Sequence, residues 1–147
     1  MGGAAAVGAT HAFDPTTNDV TASIAEVTEG HFADYVFVAV GAKAAIDAAL
    51  DWVATAGALV IVGMPASGVT TEIDPGALAA RNQRVLGSKM GTASIQVDVP
   101  RLAALYASGQ LELDGLITNR YGLDQINEAI ADVKGGRALR NVIVFAR

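Results

Sequence analysis

Cysteine is absent from the sequence, and with it go disulfides, thiolate zinc sites and cysteine nucleophiles. Imidazole is nearly absent too: His11 and His31 are the only histidines, too few for a zinc site built from protein ligands. Charge is scarce, 17% of residues against 52% hydrophobic, which is more apolar side chain than a solvated monomer of this size needs. Part of the surface is therefore expected to meet a partner. Lysine and arginine are missing altogether from the first 42 positions, which hold Asp14, Asp19, Glu26, Glu29 and Asp34. The other ten of the fifteen acids balance all ten bases, so the net charge of -5 is an acidic opening on a neutral remainder. That opening fits either a plain acidic surface or a domain whose basic neighbours are encoded upstream. No basic patch interleaved with aromatics supports nucleic-acid binding. No apolar run reaches the roughly 18 residues of a membrane helix, and "MGGAAAVGATHAF" lacks the basic start of a signal peptide. The expected location is the cytoplasm. At 147 residues the chain suits one domain with one core.

What is present is alternation. Asp14-Pro15 and the pair Thr16/Thr17 read as a turn and N-cap before a helix over residues 18–28 that ends at Gly30. "DYVFVAVG", residues 34–41, is continuously apolar from Tyr35 to Val40 and reads as a strand buried on both faces, as in parallel sheets. Residues 42–54 read as helix, since Ala45, Ile46, Ala49, Leu50, Trp52 and Val53 share one face and Lys43, Asp47 and Asp51 the other. "GALVIVGMP", residues 57–65, is a second strand closed by Gly63 and Pro65. Strand, helix and strand within about thirty residues is the size of a right-handed βαβ unit. Asp74-Pro75 opens a short helix, "RVLGSKMG" over residues 84–91 is a strand, and Asp98 with Pro100 opens a helix whose Leu102, Leu105 and Tyr106 face inward and which stops at Gly109. A strand near "LITNRY", a helix with Leu123, Ile126, Ile130 and Val133 at helical spacing, Gly135-Gly136 and the strand "RNVIVFA" complete the chain. The pattern defines an α/β protein, and such sheets bind ligands at the carboxyl edge of their strands. Gly41, Gly63 and Gly91 stand at or just past strand ends, where a missing Cβ lets another backbone or a ligand come close.

No constellation for autonomous catalysis accompanies this pattern. There is no G-x-S-x-G elbow and no H-E-x-x-H. Ser67 and Ser88 have no histidine near them in sequence, and Tyr35, Tyr106 and Tyr121 have no lysine four residues later. His11, at the start of the first expected strand, and His31, just after a helix, read as surface or capping residues. "MGGAAAVG" and "KGGRA" pair glycines, yet no G-x-G-x-x-G follows a strand and opens a helix, and no G-x-x-x-x-G-K-[ST] exists. By this test the dinucleotide-binding fold is incomplete.

The segments "GATHAFDP", "DYVFVAVG", "AAIDAALDWVATAGALVIVGMP", "RVLGSKMGT" and "GLITNRYGLDQINEAIADVKGGRALRNVIVF", taken in order and spacing, resemble the carboxyl-terminal part of the medium-chain, zinc-dependent alcohol dehydrogenases. The resemblance covers residues 7–145, and its most specific element is "L-x-x-I-N-E-A" followed by "R-x-V-I-V-F". It implies a partial doubly wound, Rossmann-like parallel sheet that begins at the family's third strand. Missing would be strands one and two, the glycine-rich loop, the acidic residue that grips the adenosine ribose, and the catalytic domain with its zinc ligands. It further implies an oxidoreductase of alcohols and aldehydes using NAD or NADP, zinc held upstream and not by this chain, and no hydride transfer by the isolated chain.

Carried over by position, the resemblance places Ala39, Val40 and Gly41 at the end of the family's fourth strand, beside the adenosine half of the cofactor. Val62, Gly63 and Met64 would end the fifth strand at the nicotinamide. Ser88, Lys89 and Met90 would offer backbone groups to its carboxamide, and Arg140 would bring a phosphate-matching fork to the pyrophosphate. No catalytic residue and no metal ligand is implied. The family dimerises near "VTTEI" and "RVLGSKM", and missing strands would leave "YVFVAV" as an open edge, so a homodimer or self-association through sheet edges is expected. An alternative partner is a complementing chain that supplies the missing strands, which would make this chain a binding or assembly module.

Overall fold

The computed structural model describes residues 2–145. Its helices are α1 (Gly2–Ala6), α2 (Val20–Val27), α3 (Lys43–Ala49), α4 (Pro75–Ala80), α5 (Ile95–Ala107) and α6 (Ile126–Lys134). Its strands are β1 (Ala33–Val38), β2 (Val53–Ile61), β3 (Arg84–Gly87), β4 (Ile117–Tyr121) and β5 (Arg140–Ile143). Contacts divide the chain into two compact units: Phe13–Ala93, and the segments on either side of it. No described helix is long and apolar enough to cross a membrane.

In the central unit β1, β2 and β3 lie side by side in that order, all parallel. Leu59 of β2 pairs with Val36 on one side and Val85 on the other, and Val60 with Phe37 and Leu86. Because side chains alternate along a strand, Val36, Val38, Leu59, Ile61 and Val85 share one face. There α3 sets Ile46 and Ala49 against them, and Ala45, Leu50 and Trp52 pack around this cluster. The helical periodicity thus names the inward face correctly but overruns the helix. After Ala49 a single turn of 3-10 helix, Leu50–Trp52, ends the coil, and Val53 already pairs with Ala33. β2 therefore starts four residues before the expected strand, its first part masked by a bulge. Ala56 takes a left-handed backbone with φ of 63° and sends its N–H to Arg81 O at 2.8 Å instead of to β1.

Burial of β1 on both faces does not hold. Tyr35 and Phe37 point away from α3, are 60% and 65% exposed, and stack on each other with centroids 6.4 Å apart. The expected first strand also fails, since residues 9–14 form none and the alanine-rich opening is helical instead. Alanine is the best helix former, and a strand needs a neighbour to take its backbone hydrogen bonds.

Caps show the same competition between local signals. The N-cap of α2 is Asp19, whose carboxylate accepts from Ala22 N at 3.1 Å. The Thr16/Thr17 pair instead belongs to a turn that Asp14 closes by accepting from Thr16 N at 2.9 Å. Asp19→Ala should therefore cost about 1 kcal/mol in thermal unfolding while Thr17→Ala costs almost nothing. Asp74 caps α4 as expected, accepting from Gly76 N at 2.8 Å and Ala77 N at 3.2 Å, with Pro75 opening the helix.

In the other unit α5 begins after Ser94, ahead of the expected Asp98, and Pro100 falls inside it. Asp98 reaches back to accept from Ser94 N at 2.7 Å, so its carboxylate still serves the helix start. Leu102 and Tyr106 are exposed, and of the expected inward trio only Leu105 is half-buried. Gly109, with φ of 73°, stops the helix. β4 and β5 form a parallel pair of their own, spanned by α6. Two contacts pin the helix to that sheet: Asn141 Nδ2 donates to Ala129 O at 2.9 Å, and the Tyr121 hydroxyl donates to Asp132.

Candidate functional site

Three adjacent parallel strands deliver their carboxyl ends to one edge of the central sheet. Ala39, Val40 and Gly41 follow β1, Val62, Gly63 and Met64 follow β2, and Ser88, Lys89 and Met90 follow β3. The hydrogen-bond ladder extends into these ends. Val62 N and Gly63 N both donate to Val38 O, at 2.9 and 2.8 Å, and Ser88 N donates to Ile61 O at 2.9 Å. All the expected cofactor residues except Arg140 therefore lie along one edge. Arg140 is exposed at the start of β5, in the other unit.

The glycines at this edge serve another backbone. A Cβ on Gly41 would lie 2.4 Å from Met64 O, and one on Gly63 would lie 2.3 Å from both the carbonyl carbon and oxygen of Val40. The two strand ends pack on each other so closely that neither tolerates a side chain there. Gly91 behaves differently: its φ is 71° and open space surrounds it. It sits between Met90 and Thr92, both left-handed with φ of 51° and 56°, so the expected strand breaks off at Gly87 and turns. Left-handed backbone at a methionine and a β-branched threonine stores on the order of 1 kcal/mol each or more. The turn is tied by the Ser88 and Thr92 hydroxyls, 3.1 Å apart. Of this turn the sequence signals only Gly91.

Met64 and Met90 are 71% and 69% exposed, so they form an apolar rim rather than part of the core. Lys89, exposed, supplies a cation, while the N–H groups of Val62, Gly63 and Ser88 are spent on the ladder. The edge can therefore present apolar side chains, backbone carbonyls and one ammonium group to a flat polar ring. It contains no glycine-rich turn to cradle a pyrophosphate. Zinc does not fit: among the described residues no group of three or more His, Asp or Glu comes together as a metal would need.

Outside the edge, the i,i+4 spacing of Lys43 and Asp47 signals the pair that the structure forms, while the Thr71 and Tyr121 ties have no signal in the sequence. Asp47 of α3 accepts from Lys43 Nζ at 2.9 and 2.8 Å and from the Thr71 hydroxyl, linking the helix to the segment that follows β2. Lys43, and then Thr71, hold the Asp47 carboxyl below the usual carboxylate range. In the other unit the Tyr121 hydroxyl, and then Arg137, do the same for Asp132, and Asp132 in turn raises the Tyr121 phenol. A cavity of about 170 Å³ opens on the α3 side of the sheet, lined by Ile46, Leu59, Ile61, Thr71, Gln83 and Val85 among others; it contains none of the expected cofactor residues.

A parallel sheet in this order, with helices after its strands and glycines at its carboxyl edge, is a Rossmann-like α/β arrangement. The chain belongs to the zinc-binding dehydrogenase family, whose profile it matches over residues 3–108. It is 33% identical over 143 residues to the NDMA-dependent alcohol dehydrogenase of Amycolatopsis methanolica, a match covering 95% of this chain and 38% of that protein. Benzyl alcohol dehydrogenase from Acinetobacter calcoaceticus is similar in structure, with a TM-score of 0.90 and 29% identity over 97% of this chain and 39% of the other. A putative zinc-binding dehydrogenase from Sinorhizobium meliloti 1021, solved bound to NADP, gives 0.79 and 28% over 98% and 41%. The chain thus spans 38 to 41% of the length of these relatives.

Proposed function

We propose that this chain is the cofactor-domain portion of a cytoplasmic, NAD- or NADP-dependent zinc alcohol dehydrogenase, and that alone it carries one wall of the cofactor site without catalytic activity. The observation that supports this most is the shared carboxyl edge of β1, β2 and β3, where Ala39–Gly41, Val62–Met64 and Ser88–Met90 meet. Met64 and Met90 would flank the nicotinamide ring, and strand-end carbonyls would accept from its carboxamide. The nicotinamide, when bound, supplies the hydride chemistry; the chain's part is to position it and shield one side from water. Zinc, in this reading, belongs to a part of the enzyme outside this sequence.

Binding to the native state raises a melting temperature only as free ligand exceeds its dissociation constant. NADH or NADPH at micromolar concentration should therefore leave the melting temperature unchanged, and ethanol with NAD should give no hydride transfer. In amide NMR spectra, millimolar NADPH should shift resonances of residues 39–41, 62–64 and 88–90. Shifts confined to the cavity lined by Gln83, or a saturable micromolar transition, would sink this reading. The second reading, an assembly module completed by another chain, draws support from the β1 edge, which has no strand beside it among the described residues, and is tested by co-purification with a larger subunit bearing the glycine fingerprint.

A further inference from the structure

The cavity of about 170 Å³ on the α3 side of the central sheet takes no part in the cofactor edge. Its lining residues all fall between Ile46 and Val85, inside one compact unit, and none belongs to β1, so the cavity depends on nothing beside that strand. Ile46, Leu59, Ile61 and Val85 give it an apolar floor. Since an apolar cavity of about 150 Å³ takes up benzene, this one has room for a single six-membered ring or an alkyl chain of similar bulk. One polar side chain is set into the lining. Gln83 is 8% exposed, and its Nε2 donates to Val53 O at 2.6 Å. A carbonyl can only accept, so this bond fixes which end of the amide meets the strand and leaves Oε1 as the free end. No group among the described residues donates to that oxygen, and it is not sealed from solvent.

We propose that this cavity binds a small primary ammonium carried on one six-membered ring or a short alkyl chain. A free acceptor in an otherwise apolar chamber calls for a donor, because an acceptor enclosed without one is costly. The charge around the cavity sets the sign of that donor. Asp47, Asp51, Glu72 and Asp74 line it against Arg81 alone. Lys43, which pairs with Asp47, and Arg81 offset two of the four carboxylates, which leaves two. Asp47 and Asp74 are also committed elsewhere, to Thr71 and to the first N–H groups of α4. Asp51 and Glu72 are exposed and free to face a cation. A bare metal ion fits poorly, since no three carboxylates converge among the described residues. An organic cation fits better: its apolar body covers the floor, one N–H donates to Gln83 Oε1, and the two free carboxylates balance its charge. The strand-end residues of the cofactor edge line none of this cavity, so the proposal stands apart from the cofactor reading.

Benzylammonium is the probe, and benzoate, of equal size and opposite charge, is its control. Titrated into the full chain to roughly 10 mM, where a ligand of this size should saturate, benzylammonium should shift the Gln83 side-chain amide and the methyl resonances of Leu59, Ile61 and Val85. Residues 39–41, 62–64 and 88–90 should stay unmoved, and benzoate should shift nothing. The melting temperature should rise with benzylammonium alone. Gln83→Leu removes the acceptor at similar volume and should weaken binding about tenfold. Asp51→Asn combined with Glu72→Gln should weaken it several-fold and remove its sensitivity to salt. Ala77 lines the cavity from an exposed position of α4, so Ala77→Leu should fill the space and abolish saturation with the fold kept. Should Gln83→Leu fail to fold, Ala77→Leu decides. Absence of a saturable shift overturns the proposal, as does equal binding of benzoate or binding that survives Ala77→Leu unchanged.

Discussion

Gly63→Ala is expected to lower the thermal midpoint by on the order of 10 °C, equivalent to about 3 kcal/mol. The added methyl carbon would sit 2.3 Å from Val40 C and O and 2.6 Å from Val40 N, all backbone atoms that no rotamer change can move aside. Relief by sliding the strand end is also blocked, because Val62 N and Gly63 N both hold Val38 O. Gly41→Ala should behave alike through its 2.4 Å approach to Met64 O. Gly87→Ala is the control: nothing lies within 4 Å of its would-be methyl, and its cost should stay within about 0.5 kcal/mol. Equal losses for Gly63→Ala and Gly87→Ala in calorimetry would show that the two strand ends do not pack as described. The same pair separates two meanings of a glycine at a carboxyl edge. Gly63 is required by the protein's own backbone, whatever ligand the edge also meets.

Features that depend on a few adjacent residues were legible in the sequence. The face of α3 follows from the spacing of Ile46 and Ala49, and the start of α4 follows from Asp74 and Pro75. Where two local signals compete, geometry decides: Asp14 and Asp19 can both cap, and only Asp19 finds a helical N–H in reach. The early start of β2 was hidden because Ala56 adopts a left-handed backbone that nothing in its chemistry announces. Apolarity tells what a strand would gain by burial, and not whether a neighbour exists to bury it, which is why Tyr35 and Phe37 are exposed and residues 9–14 form no strand. The candidate edge was legible as strand ends followed by glycines, and so was the strand that opens at Arg140; which sheet that strand joins was not. Arg140 starts a strand that pairs with Ile117 in a separate sheet, a long-range pairing that local patterning does not carry.

Leu59→Ala should be the most damaging truncation of a large side chain on the α3 face, at about 3 to 4 kcal/mol. Leu59 is 2% exposed on the central strand, with Val36 and Val85 beside it and Ile46 and Ala49 in the cluster it shares with α3. It therefore loses its contacts with both neighbouring strands and with the cluster under α3. Leu86→Ala removes the same atoms from the other face of the same sheet, where Leu86 is 46% exposed, and should cost about 1 kcal/mol or less. The ratio of the two costs measures how one-sided the core is. Denaturant unfolding followed by Trp52 fluorescence suits the comparison, because Trp52 packs against the same cluster and reports that unit alone. The ratio should be at least threefold. A ratio near one would mean that the face bearing Tyr35, Phe37 and Leu86 is covered, and that the sheet is not one-sided.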